Sequence, residues 1–141
     1  MQGRFIAKCF GSFKVKFPER ELDDDQIVNA LLLEWLPGKD LSTVDPFEFN
    51  FRKRKEIRDT VLEIINLVYS KGVYFTTNID FGNFVLVANG HTPKMHGFEF
   101  TSSLEELDVE DGEEEPHQMG EILLKINIGS MEYLLNSVGF K

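Results

Sequence analysis

A single cysteine, Cys9, is all the thiol chemistry in this chain of 141 residues. One cysteine closes no internal disulfide, so the fold must be held by its core, and the composition suits a reducing compartment. Cys9 itself is expected to be a small buried hydrophobe in a strand. Long apolar runs are missing as well. No stretch approaches the ~20 residues a membrane helix needs, and the longest candidate, 61–69, is interrupted by Glu63 and Asn66. The opening residues, Met1-Gln2-Gly3-Arg4-Phe5, hold no apolar core of the kind that makes a signal peptide. A cytoplasmic chain with no membrane partner is expected.

Several chemical signatures are absent too. Neither G-x-x-x-x-G-K-[ST] nor G-x-G-x-x-G occurs, so no glycine-rich loop is set up to cradle phosphates. No G-x-S-x-G elbow presents a serine nucleophile. Of the three histidines, His91 and His96 are five apart and His117 lies in an acidic stretch. Zinc takes three or four ligands, and His91 and His96 with one of Glu99 or His117 could serve, but nothing in the spacing demands it. The ordered aspartates of an EF-hand loop are missing. No metal, no cofactor and no enzyme activity are therefore expected, since no acid, base and nucleophile fall together.

What is present is enough apolar material for one core: 42% hydrophobic residues, among them 13 Phe. At this length a chain buries about two-thirds of the surface its unfolded form exposes. The expectation is a single domain over 1–141 with an acidic surface loop at about 108–118.

Local patterns predict its elements. In Phe13-Lys14-Val15-Lys16-Phe17 apolar residues alternate with lysines, the period of a strand with one wet face. Gly11-Ser12 offers a turn to a preceding strand over 4–10, or else a bulge in one longer strand. Asp23, with Gln26 three residues on, predicts a helix start. Ile27, Leu31 and Trp35 would form that helix's apolar face, with Val28 and Leu32 beside it, and Pro37-Gly38 its end. The segment 45–51 reads two ways. Phe47, Phe49 and Phe51 alternate like a strand, while Asp45-Pro46 opens like a helix. A helix is plain from Ile57 onward: Ile57, Val61, Ile64, Ile65 and Val68 make one stripe, closed by Gly72. Strands are predicted over 73–79, 84–88 and 95–101, with Asp80-Phe81-Gly82-Asn83 as a hairpin turn between the first two. A short helix near Ser102–Glu106, a strand over 121–128 and a closing helix over 130–138 complete the order. Strands in runs, with helices between the runs, predict an α+β fold: a largely antiparallel sheet of about five to six strands packed by two to three helices.

Charge is segregated along the chain. Residues 1–20 hold five cations against Glu19 alone, whereas 99–121 hold ten acids and no Lys or Arg, and the total is −9. Glu105, Glu106, Asp108, Glu110, Asp111, Glu113, Glu114 and Glu115 crowd eight carboxylates into eleven residues. Such an array suits a basic protein partner, where it would stand in for nucleic-acid phosphates, speed association and set register. The residues expected to carry this binding are Asp108, Glu110, Asp111, Glu113, Glu114 and Glu115, joined by Asp23 and Asp24. The function expected is inhibition of a basic nuclease, toxin or nucleic-acid-guided effector, in the manner of an immunity protein or a phage-encoded inhibitor. The alternative is a small-ligand or RNA-binding module built on the Phe47/Phe49/Phe51 stripe and the basic block Arg52–Lys55, with aromatics to stack on bases. The net charge of −9 argues against nucleic acid, because counterion release rewards a basic surface.

Overall fold

The computed structural model describes residues 3–16, 27–88, 91–103 and 116–141. Among them are seven strands in three small sheets and two α-helices, so the fold is α+β, and the strands pair antiparallel. The sheet is thus divided into three pieces instead of the one sheet of five or six strands that the sequence predicts.

The main helix, α1, runs over Phe51–Ser70. Asn50 caps it by accepting from the Lys53 amide at 2.9 Å, and Gly72, at φ +77°, supplies the left-handed turn after its end. Ile57, Val61, Ile64, Ile65 and Val68 are all fully buried, as their stripe predicts. Ahead of α1, Pro46–Glu48 forms a short 3-10 turn capped by Asp45, so the segment 45–51 follows its helix-like reading and contributes no strand.

β3 (Lys39–Asp40), β5 (Phe84–Val87) and β6 (Thr92–Met95) form the sheet against which α1 packs. Phe84, Leu86 and Met95 are fully buried beneath the helix. Pro93 sits inside β6 opposite Leu86, a position open to proline because β6 is an edge strand. β4 (Tyr74–Phe75) pairs instead with β7 (Thr101–Ser102), so Asp80–Asn83 is not a hairpin turn. Phe81–Asn83 forms a 3-10 turn with Asp80 and Asn83 in a capping box, and the chain crosses from one small sheet to another. Of the strand expected over 95–101, only its two ends lie in strands, Met95 in β6 and Thr101 in β7.

Two predicted elements take the opposite form. Residues 121–138, expected as a strand and a helix, are one helix, α2 (Pro116–Val138). Asn127, Met131 and Leu135, spaced by four, are all buried, and this spacing runs through Gly129 without a break. A glycine in a helix costs about 1 kcal/mol, less than the burial of this face returns. Gly120 lies flush against the Tyr74 ring, where a Cβ would come within 2.6 Å of it. The second reversal is β2 (Ile27–Leu33), a strand where the sequence predicts a helix. It pairs along its length with β1 (Cys9–Lys16), itself one strand with a register irregularity between Cys9 and Gly11. The bulge reading of Gly11 is therefore the one realised. A short unbroken apolar run satisfies either period, and the neighbouring β1 decides in favour of the strand. The proposed Asp23 cap and the helix near Ser102–Glu106 lie wholly or mainly outside the described residues.

Candidate functional site

The acidic residues singled out from sequence, Asp23, Asp24, Asp108, Glu110, Asp111, Glu113, Glu114 and Glu115, all lie outside the described residues. The aromatic and basic residues of the alternative site are within them, and they are dispersed. Phe49 packs against the core and meets His91 edge-on at 5.8 Å, while Phe47 and Phe51 are exposed. Arg54 folds back to donate to the Phe49 carbonyl at 3.1 Å, its guanidinium 5.4 Å from the Phe47 ring centre. Lys53 pairs with Glu56 at 3.2 Å and Lys55 with Asp59 at 2.6 Å. Cations in the first turn of a helix oppose its dipole. Here three of the four are drawn into contacts within the chain.

The remaining candidates are also separated. His96 is half-buried, its amide bonded to the Asn83 carbonyl, and His91 is exposed. The side chain of His117 lies outside the description. Among the described residues no three His, Cys, Asp or Glu converge as metal ligands. Cys9 is half-buried in β1, with its thiol 3.7 Å from the Gly11 carbonyl, and not in the core as expected.

The surface that stands out is the β1–β2 ribbon. Residues directly opposite each other in a ladder share a face. The register pairs Gly11 with Leu32, Phe13 with Ala30 and Val15 with Val28, so one face of the ribbon is apolar throughout. The other face brings Ser12, Lys14, Lys16 and Asn29 together, with Leu31 and Leu33 toward one end. Phe13, Val28, Leu31, Leu32 and Leu33 are all exposed, and just past β2 Trp35 is 84% exposed. Among the residues of the two strands whose side chains are described, none belongs to the core cluster. Isolated two-stranded ribbons are marginal in water, and a strand apolar on both faces ordinarily lies inside a protein. Contiguous exposed apolar surface is uncommon on monomeric proteins, and interaction sites are commonly found on it.

Sequence reasoning missed this surface because it assigned Ile27–Trp35 to a helix, which would have turned one side inward. The usable signal was the lack of any charge from Ile27 to Leu33, more than a helix with one wet face carries.

The ribbon is tied to the body at its base. The Glu34 amide donates to the Lys8 carbonyl at 2.7 Å, and the Lys8 amide donates to the Glu34 carboxylate at 3.0 Å. Lys94 of β6 lies 3.6 Å from the same carboxylate. The Lys8 amide, and then the Lys94 charge, hold the Glu34 carboxyl below its ordinary value. A depressed carboxyl contributes stability that is present above its unfolded value and lost as pH falls through the folded one. The protection of the Lys8 and Glu34 amides, taken relative to their intrinsic exchange rates at each pH, should therefore fall below about pH 4, the ordinary glutamate range. In Glu34→Gln the same protection should lose that pH dependence. Equal pH dependence in the two proteins would show that the carboxylate does not hold the base of the ribbon.

No family model matches this chain, and no curated protein matches it.

Proposed function

We propose that this is a protein-binding inhibitor that docks on a basic partner through its β1–β2 ribbon. One observation carries the proposal: a ribbon face that is apolar from end to end and left exposed, with Phe13 half accessible and Leu32 slightly more so. Aromatic and branched side chains at the centre of an interface supply most of its affinity. The net charge of −9 selects a basic partner by long-range steering, and the acidic stretches at Asp23–Asp25 and Asp108–Glu115 supply most of that charge. Inhibition would follow from steric occlusion of the surface on which the ribbon rests.

The test is parallel affinity capture from the native source with the wild-type chain and a Phe13→Ser/Leu32→Ser variant. A basic protein retained by the first, lost from the second and inhibited when the complex is rebuilt from pure components is the expected result. Both positions are exposed, so the variant should melt close to the wild type. Identical capture by the two proteins, or a partner that keeps full activity when bound, would overturn the proposal.

A further inference from the structure

A second unpartnered surface lies on α2, on the side away from the core. Met119, Ile122, Ile126, Gly129, Tyr133 and Asn136 follow one another at spacings of 3, 4, 3, 4 and 3, the alternation of a and d positions in a heptad. Ile122, Ile126 and Tyr133 are 38%, 50% and 73% exposed, while Met131 and Leu135 on the inner side are fully buried. A helix apolar on both sides ordinarily has neighbours on both sides. Lys125 and Glu132 each stand one residue before an a position of this seam. Both are exposed, and neither makes an ion pair among the described residues.

We propose that two copies of the protein associate through this seam, α2 packing antiparallel on α2 about a two-fold axis near Asn127. The occupant follows from self-complementarity, which an isologous interface requires. In this register Ile126 meets Gly129 of the second copy, Ile122 meets its Tyr133, and Met119 meets its Asn136, each layer occurring twice. Large side chains therefore face small or planar ones. Gly129 is suited to receive a knob, because a Cβ built on it has no atom within 4 Å. Beside it opens a cleft of about 580 Å³ between Ile79–Asp80 and Ser130, Tyr133 and Leu134. Charge decides the orientation. Antiparallel packing sets Lys125 opposite Glu132 of the second copy at both ends of the seam. Parallel packing would set Lys125 beside Ser130 and leave both charges unmatched.

Sedimentation equilibrium of the full chain over micromolar to millimolar concentration tests this, with Lys125→Glu, Glu132→Lys and the double swap compared with the wild type. Each single swap turns two attractive pairs into two repulsive ones. It should weaken the dimer about tenfold or more, and the double swap should restore it. Circular dichroism establishes that all four proteins are folded, which exposure of both positions favours. A wild type that stays monomeric throughout would overturn the proposal. So would a dimer indifferent to the single swaps, or one abolished instead by Leu32→Ser, which would place self-association on the ribbon.

Discussion

Replacing Ile64 or Ile65 by alanine is expected to cost about 2–5 kcal/mol, the range for deleting a buried branched side chain and leaving a void. Both residues are completely buried in α1, where the sheet of Phe84, Leu86 and Met95 and the inner face of α2 meet in one cluster. Neither side of the helix can collapse freely into the gap, because Met131 and Leu135 are held by their own helix and Phe84 by its ladder. Denaturant unfolding of each variant, with the slope unchanged, measures the cost. A loss below about 1 kcal/mol at both positions would mean that the stripe is not the centre of the core.

Asn127→Ala is expected to be of similar size for a different reason. Asn127, 1% exposed, is the fully buried polar side chain that joins α1, α2 and the loop at Ile79. Its carbonyl oxygen accepts from the Ile79 amide at 2.7 Å, and its amide donates to the Tyr69 hydroxyl at 2.8 Å. Tyr69 in turn accepts from the Phe75 amide at 3.3 Å. Burial raises the Tyr69 hydroxyl above its ordinary value, against the opposing pull of its partners, so it stays protonated across neutral pH. Truncation leaves the Ile79 amide without its acceptor and Tyr69 without one donor. Each buried polar group left unmatched costs about 1–3 kcal/mol, for a total of about 2–5 kcal/mol with the void included.

Asn127→Asp separates hydrogen bonding from shape. The new carboxyl can still accept from Ile79, but burial favours its neutral form and raises its folded value above the unfolded ~3.9. Stability tied to a raised carboxyl is present at pH below the unfolded value and is lost as pH rises through the folded one. The aspartate variant should therefore be closest to wild type in acid and should fall away from it toward neutrality. A pH-independent difference would show that the site is open to water.

Those two positions also mark how differently the two helices could be read. The stripe of α1 is continuous, carries no glycine and is bounded by turn-forming residues, so period and boundary agree in the sequence. The pattern of α2 is broken by Asn127 on its inner face and by Gly129 on its outer one, the first polar and the second a weak helix former. Its helical period becomes visible only once Asn127 has Ile79 and Tyr69 as partners, and both are more than 45 residues away in the chain. The basic block Arg52–Lys55 was legible in the sequence, but its contacts with Phe49, Glu56 and Asp59 needed side-chain positions.

By itself, then, the sequence determined the α+β class, the buried stripe of α1 with its end at Gly72, and the division of charge that gives the chain its acidic character. These follow from local periodicity, from backbone preferences at caps and from simple counting, none of which needs a distant neighbour. Tertiary structure decided what the apolar run Ile27–Leu33 would become. That run is rich enough in Leu to be helical and β-branched enough at its start to be extended, so its local energies nearly balance. The ladder with Cys9–Lys16 breaks the balance by satisfying its backbone groups from across the sheet. The same ladder places Phe13, Val15, Val28, Ala30 and Leu32 on one exposed face, a surface that no reading of either segment alone contains.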